Sequence, residues 1–74
     1  MRNNDEIRDT VRHNLIKLRK ESGLTQTELG EIIGRQKNSV ASWEQGLSLP
    51  DITTLCNLAE YYNKTVGQLC GVEK

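Results

Sequence analysis

Apolar residues recur every three to four positions along most of the chain, and glycine and proline divide this pattern into five stretches. A period of this length is that of an amphipathic helix with one face toward a core. The pattern therefore predicts an all-α fold of five helices and no strands. No repeat, low-complexity run or internal linker interrupts it, so we expect a single domain over residues 1–74.

The first helix is predicted over about residues 4–22. Asn3 or Asn4 can cap its start, and an acidic pair in the first turn suits the positive end of the helix dipole. Gly23 ends the helix. Its core-facing stripe consists of Ile7, Val11, Leu15 and Leu18.

The next two helices form one unit, predicted over about residues 25–45. The segment Thr25–Glu28, "TQTE", has the sequence of a capping box, and Gly34 ends the short helix that follows it. In this second helix the residues predicted to face inward are Leu29, Ile32 and Ile33. The third helix runs from about Lys37 to Gln45, and Gly46 stops it.

The two faces of the third helix differ in character. At 100° per residue, Gln36, Val40 and Trp43 share one face, and the opposite face is small and polar. That opposite face carries Lys37, Asn38, Ala41, Ser42 and Gln45. Since Trp43 is the only tryptophan and the chain has no phenylalanine, we interpret Val40 and Trp43 as the core anchor of this helix.

The fourth and fifth helices are predicted over about residues 50–71. Pro50 is tolerated in a first helical turn, and Thr65 can cap the last helix, which Gly71 ends. The apolar stripes are Ile52, Leu55, Cys56, Ala59 and Tyr62 in the fourth helix and Val66, Leu69 and Cys70 in the fifth. Ile16 and Tyr61 lie off the core stripes and are candidates for a partner surface.

The composition, 35% hydrophobic and 27% charged residues, is typical of a small folded domain. We interpret Cys56 and Cys70 as small core residues, because a zinc site would need more ligands and the one histidine, His13, is far away in sequence. No cofactor or metal is expected. No signal peptide and no apolar run of roughly 18 residues is present, which favours a cytoplasmic protein without a membrane partner.

The formal net charge is zero, which argues against nonspecific binding of nucleic acid. The charges are uneven, however. Six basic residues lie within the first 20 positions, and Arg35 and Lys37 precede the third helix or begin it. A local basic face is therefore compatible with the sequence.

Two short helices joined by a tight turn at Gly34 indicate a helix-turn-helix. The second helix of such a unit can enter the major groove of DNA, with its N-terminal residues at the base edges. Small side chains on the outer face of the third helix fit this role, because bulky ones would hold the backbone away from the bases.

The combined motifs resemble the Cro/repressor-type helix-turn-helix family of phage and bacterial regulators. The shared pattern is an arginine four residues before the glycine of "GLTQ", then "TQTELG", "SWEQG", a proline opening an apolar helix, and "VGQL". It covers about residues 15–69. The individual pieces are weakly specific, whereas their common spacing is highly specific.

The resemblance implies a compact five-helix, lambda-repressor-like fold with the second and third helices as the reading unit. It implies groove contacts for Lys37, Asn38, Ala41 and Ser42. Gln26 matches a position that contacts phosphate or supports the reading residues, and Gln45 begins a segment, through Ser48, that runs beside the DNA backbone. Arg19 and Glu44 match a structural ion pair between the first and third helices.

The chain departs from the family pattern at three positions. Arg35 stands where valine is frequent, and it can reach a phosphate instead of packing. Gly30 stands where alanine is usual, which lowers helix propensity but allows close helix–helix approach. Ala41 stands where serine is common, so this position can meet a thymine methyl group but cannot donate a hydrogen bond.

These observations predict a sequence-specific transcriptional regulator, most simply a repressor that binds a pseudo-palindromic operator as a homodimer. The helix 4–5 region and Ile16 are the candidate dimer surfaces. The alternatives are an antitoxin-type regulator that also binds a protein, the N-terminal domain of a longer repressor, and a module that binds only protein. An enzyme is not expected, since no nucleophile–base pair, phosphate-binding glycine loop or metal cluster is recognisable.

Overall fold

Five helices follow one another with short connections in the computed structural model, which describes all residues from Met1 to Lys74. They are α1 (Asn4–Glu21), α2 (Gln26–Ile33), α3 (Lys37–Glu44), α4 (Ile52–Tyr61) and α5 (Val66–Cys70). No strand is present. The prediction of an all-α, five-helix fold is confirmed.

Side-chain caps fix the starts of four helices. Asn3 accepts a hydrogen bond from the Glu6 backbone N–H at 2.9 Å, and Thr25 forms the predicted capping box with Glu28. Thr65 forms a second capping box with Gln68 at α5. Each cap satisfies N–H groups that the first turn leaves without a partner.

The start of the fourth helix differs from the prediction. Asp51 caps α4 by accepting from the Thr54 backbone N–H at 2.8 Å, so the helix begins at Ile52. Pro50 lies outside the first turn and is buried. The acidic side chain of Asp51 is the stronger local signal, because aspartate is among the preferred N-cap residues.

The core lies where α1 meets α3 and α5, with α2 packed on α3, and α4 packed on α5 and α2. Val40 and Trp43 are buried in it, as predicted. The buried apolar residues are Val11, Leu15, Leu29, Val40, Trp43, Leu58, Ala59 and Leu69. This core holds α3 by one face and leaves its other face outside.

Three residues predicted to face the core are exposed. Ile52 is 78% exposed and Ile32 is 46% exposed, and Cys56 lies on the surface. Ile52 and Cys56 are four positions apart, so they share the outer edge of α4, while Thr54, Leu58 and Ala59 occupy its buried face. The apolar residues of α4 therefore occupy a wider part of the helix surface than the part that packs against the core.

Cys70 is half-buried against the core, and this burial raises the pKa of its thiol. Of the two residues placed off the core stripes, Ile16 is half-buried and Tyr61 is 45% exposed. No helix combines the length and the apolar character needed to cross a membrane.

Candidate nucleic-acid interface

The turn between α2 and α3 depends on two glycines. Gly34 has φ +72°, a left-handed conformation that glycine adopts without a steric penalty. Gly30 lies one turn earlier, where a Cβ atom would stand 2.5 Å from the carbonyl oxygen of Arg35. The absence of that atom lets the Arg35 N–H donate to the Gly30 carbonyl at 2.7 Å. The close approach at Gly30 is therefore made by the backbone of the turn and not by a second helix, as the sequence had led us to expect.

The outer face of α3 carries the residues predicted to read DNA. Lys37, Asn38 and Gln45 are exposed, and Ala41 and Ser42 are half-buried. All five lie opposite the buried Val40 and Trp43, as the helical period requires. The structure therefore brings these five predicted residues together on one surface, which we call the α3 face.

The N-terminus of α3 is the one helix start without a side-chain cap. Gln36 occupies the N-cap position and makes no capping hydrogen bond with its side chain. The first N–H groups of a helix have no partner within the helix, and they carry the positive end of its dipole. This end of α3 is therefore open to an acceptor or an anion, next to the ammonium group of Lys37.

Ser42 is tied to the loop that follows α3. Its hydroxyl shares a hydrogen bond of 2.7 Å with the hydroxyl of Ser48. The bond holds the loop beside the α3 face and uses one of the hydrogen-bonding positions of Ser42. Sequence reasoning placed Ser48 near the DNA backbone but missed this bond, because a pair of serines six positions apart carries no recognisable signal.

Arg19 and Glu44 form the ion pair that the resemblance implies. The guanidinium donates to the Glu44 carboxylate from Nε at 2.6 Å and from Nη2 at 2.9 Å, and Nη1 donates to the Leu24 carbonyl at 2.8 Å. Both side chains are largely buried. The hydrogen bonds to Glu44 outweigh the effect of burial and raise the pKa of Arg19.

Gln26, the first residue of α2, belongs to the same cluster. Its side-chain amide donates to Glu44 Oε1 at 3.1 Å. This fixes the orientation of the amide and leaves its carbonyl oxygen and second N–H group free. The cluster of Arg19, Glu44 and Gln26 thus joins α1, the start of α2 and the end of α3. A phosphate contact by Gln26 stays a prediction.

Arg35 connects the turn to the start of α4. Its Nε donates to the Thr54 hydroxyl at 3.0 Å and its Nη2 to Asp51 Oδ2 at 3.0 Å. Hydrogen bonds from the side chain and the backbone N–H of Thr54, together with the charge of Arg35, lower the pKa of Asp51. Sequence reasoning missed Asp51 and Thr54 as partners of this arginine, since they are 16 and 19 positions away.

The pairing of Arg35 bears on its predicted phosphate contact. Asp51 offsets its positive charge, although Nη1 of the guanidinium makes no hydrogen bond within the chain. Lys37 is then the one basic side chain between residues 26 and 45 that is outside an ion pair. It is the main source of positive charge on the α3 face.

An all-helical core that presents one face of a short helix after a glycine turn has the arrangement of a helix-turn-helix unit. The sequence model of a family described as helix-turn-helix matches residues 15–69 of the chain. The chain belongs to this family, the Cro/repressor-type helix-turn-helix regulators, and it is a DNA-binding regulator. No curated protein and no solved structure gave a match.

Proposed function

We propose that the chain is a repressor that binds a pseudo-palindromic operator as a homodimer, with α3 in the major groove of each half-site. The observation that carries this proposal is the α3 face, which is polar, includes the small residues Ala41 and Ser42 and has no side-chain cap at its N-terminus. Repression follows when the bound dimer occupies a promoter. No cofactor takes part.

Within each half-site, Lys37 and Asn38 supply the main base contacts. Asparagine can form a bidentate pair with adenine, and lysine can donate to guanine or to a phosphate. Ala41 and Ser42 approach the bases further along α3, with Ala41 suited to a thymine methyl group. Gln26, Arg35 and Gln45 contact the DNA backbone and set the register of the helix.

The spacing of half-sites and the size of the chain support a pair of chains on one operator. Half-site centres in this class of complex are about one helical turn apart, roughly 34 Å. The chain measures 34 × 24 × 21 Å, so two copies fit side by side at this separation.

The segment after α3 also exposes Leu47 and Ile52, at 71% and 78%, and Leu49 beside them. We propose these three residues, the loop patch, as the contact between the two copies.

The experiment that tests the proposal is selection of bound sequences from random duplex DNA at low salt, with the 74-residue chain. We expect enrichment of an inverted repeat. Asn38→Ala should reduce the affinity for the selected site about tenfold and relax the choice of base at one position, as for the loss of a bidentate contact. Asn57→Ala, an exposed asparagine on α4, is the matched control and should leave the affinity unchanged.

Enrichment of a single unrepeated site would contradict the dimer and leave the reading role of α3 intact. Equal affinity of the Asn38→Ala variant and the control for the selected site would contradict the role of α3. A complete lack of enrichment would favour the module that binds only protein.

A further inference from the structure

A groove between α2 and α4 lies outside the surfaces assigned to DNA and to the second copy. It has a volume of about 350 Å³ and is lined by Ile32, Ile33, Asn57, Glu60 and Tyr61. Ile32 and Tyr61 are each almost half exposed there. Neither residue contributes to the buried core cluster, so the folding of the domain does not explain their apolar character.

The two helices that form this groove contain no basic residue. α2 carries Glu28 and Glu31, and α4 carries Glu60. The last turns of both helices lack basic side chains, so no side-chain charge offsets the negative ends of their dipoles. In α1, by contrast, Arg19 and Lys20 occupy the last turn. The groove thus combines apolar side chains with the Glu60 carboxylate, and it lies beside two helix ends that have no basic residue.

The nearest basic residue after α4 does not change this picture. Lys64 lines a different cavity, with Asn14 and Lys17. Arg35, after α2, is directed to Asp51 and Thr54 at the opposite end of α4. No basic side chain of this chain therefore lines the groove.

We propose that this groove is a docking site for a basic amphipathic helix of a partner protein. Apolar side chains on one stripe of such a helix would cover Ile32, Ile33 and Tyr61, which is the usual arrangement when a helix binds in a groove. Lysine or arginine beside that stripe would meet Glu60 and the two helix ends. Charge complementarity of this kind selects a partner and speeds association.

A second copy of the chain does not offer this surface. The helices that expose large apolar residues are α2, with Ile32, and α4, with Ile52 and Tyr61. Both are free of basic residues. The helix richest in basic residues, α1, exposes no large apolar side chain. The occupant is therefore a different protein.

Docking in the groove is compatible with DNA binding. Ile32 follows Gln26, at the DNA-proximal start of α2, by six residues, which corresponds to about 9 Å along a helix. A regulator with this groove can hold DNA with α3 while a partner occupies its α2–α4 side. If the proposed function holds, a partner in the groove would be joined to the bound operator through this chain.

The test uses the full chain without DNA and a probe of defined chemistry, an 18-residue peptide of leucine and lysine with the leucines at helical spacing. Amide NMR should show peptide-induced shifts concentrated at Ile32, Asn57, Glu60 and Tyr61. Ile32→Ser and Tyr61→Ser should each weaken peptide binding about tenfold, as for central interface residues. Glu60→Gln should weaken it about threefold, with a smaller dependence on salt.

Leu47→Ser and Ile52→Ser are the matched controls, since they remove exposed apolar residues of the loop patch. They should leave peptide binding unchanged, and Ile32→Ser should leave DNA binding unchanged, which separates this proposal from the proposed function. Equal binding of a peptide with glutamate in place of lysine would overturn the proposal. So would shifts outside the groove, or a dimer in sedimentation experiments that Ile32→Ser and Tyr61→Ser dissociate and Leu47→Ser does not.

Discussion

Asp51 combines two roles at one position: it caps α4 by accepting from the Thr54 backbone N–H, and it pairs with Arg35. The hydrogen bonds from Thr54, more than the nearby guanidinium, hold its pKa below the ordinary value of 3.8. A carboxylate with a lowered pKa in the folded state stabilises the fold once it is ionised in both states, and this contribution disappears as pH falls through the lowered pKa.

Asp51→Asn should therefore destabilise the domain in a pH-dependent manner. Asparagine is also a preferred N-cap residue, so the change removes the charge and keeps a cap. The variant should be less stable than the wild type at pH 7, and the difference should shrink below about pH 4. Urea unfolding followed by circular dichroism between pH 2 and pH 7 measures this.

Arg35→Gln is the matched comparison, because it leaves the stronger contribution of Thr54 in place. It should cause a smaller pH-dependent loss than Asp51→Asn. A difference between wild type and Asp51→Asn that stays constant down to pH 2 would argue against the role given to this carboxylate.

At the level of elements, the cluster of Arg19, Glu44 and Gln26 fixes α3 against α1 and α2. The Glu44 carboxylate receives two hydrogen bonds from Arg19 and one from Gln26, and its side chain is 6% exposed. An uncompensated charge at such a position is costly, whereas replacement of both partners by apolar groups often is not.

Arg19→Met should lower the free energy of unfolding by about 3 kcal/mol, because it leaves a buried carboxylate with only the Gln26 amide as partner. The double variant Arg19→Met with Glu44→Leu should recover much of this loss. Chemical denaturation of the single and double variants provides the cycle. Losses that simply add would indicate that the two side chains are not coupled.

The contact inside the turn between α2 and α3 leads to a second prediction at the level of elements. Alanine at position 30 would gain about 1 kcal/mol of helix propensity, but its Cβ would stand 2.5 Å from the carbonyl oxygen of Arg35. Since that oxygen belongs to the backbone, the turn would have to shift. We expect Gly30→Ala to destabilise the domain by about 1 kcal/mol or more, as in overpacked cores.

Gly67→Ala in α5 is the matched control for Gly30→Ala. A Cβ at position 67 would meet only side-chain atoms of the exposed Glu73 and no backbone atom. This variant should be as stable as the wild type or more stable. Thermal unfolding of the two variants compares their melting temperatures. A Gly30→Ala variant with a higher melting temperature than the wild type would contradict the steric conflict with the Arg35 carbonyl oxygen.

At the scale of the whole molecule, the net charge is zero, and the basic residues divide into those that form ion pairs with acidic residues and those that do not. Four arginines lie in ion pairs with acidic residues; they are Arg8, Arg12, Arg19 and Arg35. Lys37 is free of such pairs and lies at the start of α3. The charge available to DNA on the α3 face is therefore small, although the chain has ten basic residues.

This distribution predicts a shallow dependence of DNA affinity on salt. Each phosphate contact by a basic side chain contributes a slope of roughly one to a plot of log affinity against log salt. Lys37→Ala should reduce the slope by about one for each half-site, and Lys64→Ala, in a cavity with Asn14 and Lys17 away from the α3 face, should not change it. Titrations at several salt concentrations with the selected site test this, and an unchanged slope for Lys37→Ala would remove Lys37 from the interface.

The sequence by itself determined the five helices, most of their ends and the side of α3 that faces the core. These features are local: capping residues, glycines and a period of 3.6 residues act within a few positions of one another. The pairing of Arg19 with Glu44 also came from the sequence, but only through the spacing that the chain shares with its family.

Only the tertiary structure decided which residues distant in the sequence each side chain contacts. The pattern placed Ile32, Ile52 and Cys56 inward, whereas the core is narrower than the apolar stripes and leaves them outside. It also gave no sign that the fold brings Asp51 and Thr54 within hydrogen-bonding distance of Arg35. Periodicity describes one helix, but burial and pairing depend on how several helices pack, and that information is not contained in any one segment.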